Sequence, residues 1–226
     1  MTDFNGFGPE TRKFLRGLGR NNNKPWFDAH RAEYDAYYAE PAKAFIEAVG
    51  PKVEKFAPRI VWEPRVNGSL FRVNRDIRFA KDKTPYKDHI DIWLWEGQRK
   101  TARSGFYVRV RHDRIYLGAG SHGFSKEALA RYRRRMNDEK AARGLKALLK
   151  RLERAGFEVN GKHYKKPPRG YNGNAAGADL VLYAGLSASV ERKAPAELGE
   201  RKFAAYCARE WKKLSPLHRW LMEEVR

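Results

Sequence analysis

Between Leu70 and Lys87 the chain carries Arg72, Arg75, Asp76, Arg78, Phe79, Asp82, Lys83, Pro85 and Tyr86. Arg72, Arg75, Arg78 and Lys83 thus bring four cationic groups into twelve residues that also hold two carboxylates. A guanidinium is a rigid planar fork of donors that matches the oxygens of a carboxylate or phosphate. Asp76 and Asp82 can orient those forks, hold a divalent cation or act as a base, and Tyr86 can donate to a bound oxygen. Pro85 would fix the turn that delivers the phenol. The pattern predicts a pocket for an anionic, phosphate-bearing small ligand. Its binding residues would be Arg72, Arg75, Arg78, Lys83, Tyr86 and His89, with Asp76 and Asp82 as the catalytic candidates. At least two of the four cations should approach a shared carboxylate or anion site. The same residue types also build ion-pair networks that tie an irregular segment to a sheet with no ligand at all.

Other motifs carry less chemistry. Gly118-Ala-Gly-Ser-His-Gly123 matches the glycine spacing of a dinucleotide loop, but the strand before it belongs to a hairpin and no parallel βαβ unit follows. Gly156 to His163 resembles a phosphate-binding P-loop with His163 in place of the magnesium-holding hydroxyl. That stretch follows a helix, with Gly156 as its C-cap, which is the wrong order. His89 and Asp91 share one face of a strand, a spacing open to two metal ligands, yet no HExxH or cysteine cluster supports a metal. Cys207 lies at helical spacing from Phe203, Tyr206 and Trp211 and is expected to be a buried structural thiol. No GxSxG nucleophile elbow is present.

The 72–86 stretch fits the pattern Arg-x-x-Arg-Asp-x-Arg-Phe-x-x-x-(Asp or Asn)-Lys-x-x-Tyr and fills every specified place. In this it resembles the uncharacterised bacterial family DUF2461. The N-terminal run through Pro9, Glu10, Phe14, Leu15, Asn21, Asn22, Trp26, Phe27, His30, Arg31 and Tyr34 is similar to that family too, as is Pro85 to Ile90. The resemblance implies a single α+β domain over residues 1–226 and no established activity.

The composition bounds the alternatives. The 226 residues have a formal net charge of +20, with 13% aromatic residues, which excludes a disordered chain. No apolar run is long enough to span a bilayer, and the N-terminus lacks the features of a secretion signal. One cysteine excludes an internal disulfide. A cytoplasmic protein with no membrane partner is expected. Residues 61–226 hold 37 Lys and Arg against 19 Asp and Glu, and the densest stretch runs from Arg131 to Arg154. That excess suits sequence-independent binding of nucleic acid, with Tyr107, Tyr116, Tyr132 and Tyr164 to stack on bases. The sequence names no cofactor, reaction or oligomeric state.

The elements that must position these residues follow from periodicity. Pro9 starts a helix with Phe14, Leu15 and Leu18 on one stripe, Pro25 a second through Tyr34, and Pro41 a third that Pro51 kinks or ends. Residues 1–58 form this helical segment and 59–226 a sheet-containing core. Strand alternation appears at 90–94, 106–110 and 115–117, the last two forming an antiparallel hairpin. Helices are expected near Lys126–Met136 and Ala141–Arg154, an irregular connection over 156–178, a strand or short helix at Leu180–Val190, and helices from about Glu200. The fold class is α+β, an antiparallel sheet flanked by helices.

Overall fold

Residues 3–99, 104–168, 171 and 173–225 are described by a computed structural model of the chain. Helices α1 (Pro9–Arg20), α2 (Lys24–Ala29), α3 (Arg31–Tyr34) and α4 (Glu40–Glu54) come first, then strands β1 (Ile60–Val61), β2 (Ile90–Glu96), β3 (Gly105–Val110) and β4 (Arg114–Ser121). Helices α5 (Lys126–Met136) and α6 (Glu139–Arg154), strands β5 (Glu158–Lys162) and β6 (Tyr183–Lys193), and helix α7 (Lys202–Glu224) complete it. The strands form one open antiparallel sheet in the order β1-β2-β3-β4-β6-β5, so the expected α+β class holds. The chain divides into two compact units. One comprises Met1–Leu94, Tyr107–Leu117 and Glu191–Arg209; the other Trp95–Phe106, Gly118–Val190 and Glu210–Arg226.

In the first unit the helices bury aromatic rings. Phe14, Leu15 and Leu18 of α1 are fully buried, and Phe14 meets Trp26, Tyr34 and Tyr38. The helix expected from Pro25 to Tyr34 breaks at His30 into α2 and α3, and Asn23 caps α2 by accepting the Trp26 N–H at 3.0 Å. A π-turn over Asp35–Ala39 then carries α3 into α4. Pro51 neither kinks α4 visibly into two helices nor ends it, because it falls in the last turn and Val53 beyond it is buried. Gly50 makes room there for Trp62, whose ring a Cβ would meet at 2.4 Å.

The middle of the sheet is two-faced. Ile90, Ile92, Val108, Val110, Ile115 and Leu117 are buried, while His89, Asp91, Trp93, Tyr107, Arg109, Arg111 and Tyr116 alternate with them half-buried. Residues 69–75 extend this pairing as an irregular edge segment antiparallel to 85–93. Trp93 N–H donates to Ser69 O at 2.9 Å, Phe71 N–H to Asp91 O at 3.0 Å, Lys87 N–H to Val73 O and Arg75 N–H to Pro85 O, each at 2.8 Å. The register slips by two residues between the 71/91 and 73/87 pairs, which bulges the chain through Asp88 to Ile90. The Arg/Asp segment is therefore the tip of a hairpin.

In the C-terminal half of the chain three sequence expectations are corrected or resolved. The stretch expected to be irregular contains β5, which pairs with β6 through Glu158↔Ser189, Val159↔Ala188 and Asn160↔Ser187. Its polar composition hides the strand, since pairing rather than alternation defines it. Leu180–Val190 is both of its alternatives, a 3₁₀ turn over Leu180–Leu182 and then β6. Gly156, at φ +85°, closes α6: its N–H donates to Glu153 O and that of Phe157 to Leu152 O, as a helix C-terminal cap requires. The helices expected from Glu200 are one helix, α7, with Pro216 inside it. Proline cannot satisfy the Lys212 carbonyl, and the Ser215 hydroxyl donates to it instead at 2.8 Å.

The glycine motif at 118–123 is the end of β4. Gly120 has φ +126°, and a Cβ there would stand 2.4 Å from the Leu186 carbonyl oxygen. Gly120→Ala should therefore destabilise by at least about 1–3 kcal/mol. Gly144→Ala, on an exposed face of α6 with open space around it, should stabilise by about 0.4–1 kcal/mol. Denaturant unfolding of the two variants checks the opposite signs.

Candidate functional site

The hairpin is held at its root by a side chain that acts as backbone. The Asn22 amide donates to Tyr86 O at 2.8 Å and accepts the Tyr86 N–H at 2.9 Å, filling both positions that a neighbouring strand would fill. The Tyr86 ring is buried and stacks on Phe27 with centroids 4.3 Å apart. Tyr86 thus anchors the hairpin to the helices; its ring belongs to the core.

Across the bulge lies an ionic cluster. Asp91 accepts from Arg109 at 2.7 and 3.3 Å, and Lys87 Nζ stands 3.2 Å from it. His89 places Nδ1 2.8 Å from Asp88 and Nε2 3.3 Å from Asp91, and Arg111 reaches Asp88 at 2.5 Å. Lys87 also lies 5.0 Å over the Phe71 ring. Burial alone would raise the Asp91 pKa, but the hydrogen bonds and charges of His89 and Arg109 outweigh it and hold the carboxyl well below the usual range. Asp88 is held at about 2 by its bond to His89 and the charge of Arg111. His89 therefore joins this root cluster. Among the described residues no group of three or more His, Cys, Asp or Glu is placed to hold a metal ion.

The tip is built from separate local pairs. Asp76 takes the Arg78 guanidinium at two points, 2.9 and 2.7 Å, and its carboxyl falls to about 2 mainly through that grip. Asp82 accepts the Thr84 N–H at 2.9 Å and Arg75 at 2.5 Å, and sits near 2 for those reasons. Arg75 also bonds the Thr84 hydroxyl and, at 3.1 Å, its carbonyl. Lys83 donates to the Ile77 carbonyl at 2.9 Å. Arg72 is exposed and acts on Asp76 through its charge. Each carboxylate hydrogen-bonds one arginine, and Asp76 feels the charge of Arg72 as well as that of Arg78. Arg75 is the half-buried member, while Arg72, Arg78 and Lys83 are open to solvent. Among them stands Phe79, with 95% of its surface exposed.

The second unit holds two further groups. Arg131, Arg134, Arg135, Asp138 and Glu224 line a cavity of about 320 Å³. Arg135 is tied to Glu224 and, at 2.7 Å, to Asp138. Tyr132 is fully buried with its hydroxyl on Leu180 O, so it is not available to stack on a base. The other group escaped the sequence reading: His218 sits between Ser104 Oγ at 2.9 Å and Glu96 at 3.0 Å. The types are those of a nucleophilic triad, but all three are more than nine-tenths buried and Ser104 is 1% exposed. The hydroxyl is buried, and the row ties strand ends to α7. With Glu96 and His218 separated by 122 positions, no local pattern could reveal it. Cys207 is fully buried, as its helical neighbours predict.

A family model described as a conserved hypothetical protein, DUF2461, matches residues 10–220. No curated protein and no solved structure matches the chain.

Root and tip pairs should behave differently. Asp91→Asn should cost about 3 kcal/mol, the low end for a broken buried pair because Arg109 keeps some solvent. Asp76→Asn should leave the unfolding midpoint unmoved. Depressed folded-state values mean that the unfolded chain binds more protons. The contribution of Asp88 and Asp91 is thus complete above their unfolded value of about 4 and is lost as pH falls toward about 2. Urea unfolding against pH should show this acid limb, shallower in Asp91→Asn.

Proposed function

We propose that this protein, which belongs to the DUF2461 family, binds a phosphate-bearing ligand at the tip of its 70–87 hairpin. One observation carries the reading: Arg78 is oriented by a two-point grip from Asp76 yet remains 76% exposed. The grip uses Nε and one Nη2 proton, leaving three of five N–H donors for a ligand. A guanidinium already oriented loses less entropy on meeting a phosphate. Arg72 and Lys83 supply further exposed charge, and Arg75 braces the tip from inside. Tyr86 and His89 support the hairpin's root. A wholly structural role for the tip pairs explains the bonds but not the exposure, since exposed pairs contribute little to stability. Asp76 and Asp82, both engaged by their own arginines, act here as positioning groups.

A second reading is favoured by a different observation. Arg134, Lys140, Lys146, Lys150, Arg151 and Arg154 on α5 and α6 make no ion pair with a carboxylate among the described residues. The opposite sides of these helices bury Ala128, Met136, Leu145, Leu149 and Leu152. A basic helical face of this kind suits the phosphates of a nucleic acid.

Two measurements separate the readings. In salt that screens the general basic surface, phosphate monoesters should stabilise the protein by about 2.7 kcal/mol at a hundredfold excess over the dissociation constant. Arg78→Ala should lose that gain with the unliganded midpoint unchanged. If no ester moves the wild-type midpoint, the tip reading is abandoned. For the helical face, Lys146→Ala with Lys150→Ala should reduce the salt slope of duplex DNA binding by about 2. An unchanged slope would remove α6 from the interface.

A further inference from the structure

Phosphate binding leaves one feature of the tip without a purpose. Phe79 is 95% exposed, whereas among the described residues the next most exposed large apolar side chains, Tyr37 and Tyr164, reach 36%. It stands at the far end of a hairpin whose root is clamped by Asn22 and Asp91, and Arg78, Lys81 and Lys83 lie within four positions of it along the chain. The Arg78 guanidinium lies 5.8 Å from the ring centroid. An aromatic face presented beside oriented cations is the combination by which proteins hold a base and its phosphate together.

We propose that Phe79 is a stacking platform for a nucleobase, so that the tip binds a nucleotide, free or as one unit of a single strand. This rests on the phosphate reading above and adds the base to it. The Arg78 guanidinium lies over one face of the Phe79 ring, 5.8 Å from its centroid, so a base would take the opposite, solvent-facing side. A nucleotide stacked there has its phosphate drawn toward the exposed cations of the tip, Arg72, Arg78 and Lys83. Stacking is tolerant of base identity, because every base has a π-face, so recognition would depend weakly on sequence. An anionic membrane is the competing partner for an exposed aromatic among cations. The tip suits it less: it offers one fully exposed apolar ring, and Asp76 and Asp82 beside it would face a negative surface.

The test uses the full chain in salt that screens the basic helices, with calorimetric titration of AMP, ribose 5-phosphate, a short single-stranded oligonucleotide and phosphatidylserine vesicles. Wild type should bind AMP about tenfold more tightly than ribose 5-phosphate, the scale of one base stacked on one ring. Phe79→Ala should reduce AMP to the ribose 5-phosphate level without changing the latter, Phe79→Trp should restore the preference, and Arg78→Ala should weaken both ligands. Being solvent-exposed, Phe79 can be replaced without risk to the core. Equal affinity for the two ligands would overturn the stacking proposal and leave the phosphate reading standing. Binding of neither would remove both. Vesicle binding that Phe79→Ala abolishes, with no preference for AMP, would assign the ring to a membrane and overturn the proposal. Where stacking holds, a larger Phe79→Ala loss on the oligonucleotide than on AMP identifies a strand, and an equal loss a free nucleotide.

Discussion

A carboxylate can sit half-buried on a sheet face only if cations surround it, because the desolvation penalty of an unpaired ion is several kcal/mol. Asp91 meets that condition with Arg109 from the neighbouring strand, Lys87 from across the bulge and His89 beside it. Three requirements follow. The register of β2 against β3 must put Arg109 opposite Asp91. The edge segment must slip by two residues so that Lys87 turns back toward the same carboxylate. The root of the hairpin must stay where the cluster holds it. The place of the tip follows from this arrangement.

The two sets of ion pairs in the hairpin have the same chemistry and different consequences. At the root, burial makes each pair expensive to break, so its role is positional. At the tip, Asp76 and Asp82 are in water, and their pairing with Arg78 and Arg75 adds little to stability. What it does is restrict the guanidinium groups to one orientation. Energy is invested where the hairpin leaves the sheet, and orientation is delivered where it meets solvent.

In the second unit polar groups do related work inside the core. The Ser104–His218–Glu96 row satisfies groups that could not otherwise be buried, and Ser215 repairs the bond that Pro216 removes from α7. The cationic residues of α5 and α6 are left over from this economy. With few acidic residues near them along the chain, most make no ion pair with a carboxylate among the described residues.

Local periodicity and local chemistry were sufficient for the α+β class, for α1, α5 and α6, for the β3–β4 hairpin and for the buried thiol of Cys207. Each depends on neighbours along the chain: an apolar stripe, an alternation, a capping glycine such as Gly156. The Arg/Asp pairs of the tip were legible for the same reason, since their partners lie two to seven residues apart. Only the tertiary structure decided which residues of the motif belong together. Tyr86 went to the core because Asn22 and Phe27 arrive from helices far back in the chain, and His89 joined Asp88 and Asp91 because a bulge turned it there. β5 became a strand by pairing with β6, and Glu96 met His218 across 122 positions. The exposure of Phe79 is of this kind as well. A phenylalanine in a sequence predicts burial, and only the position of the hairpin tip, beyond any element that could cover it, leaves the ring in water.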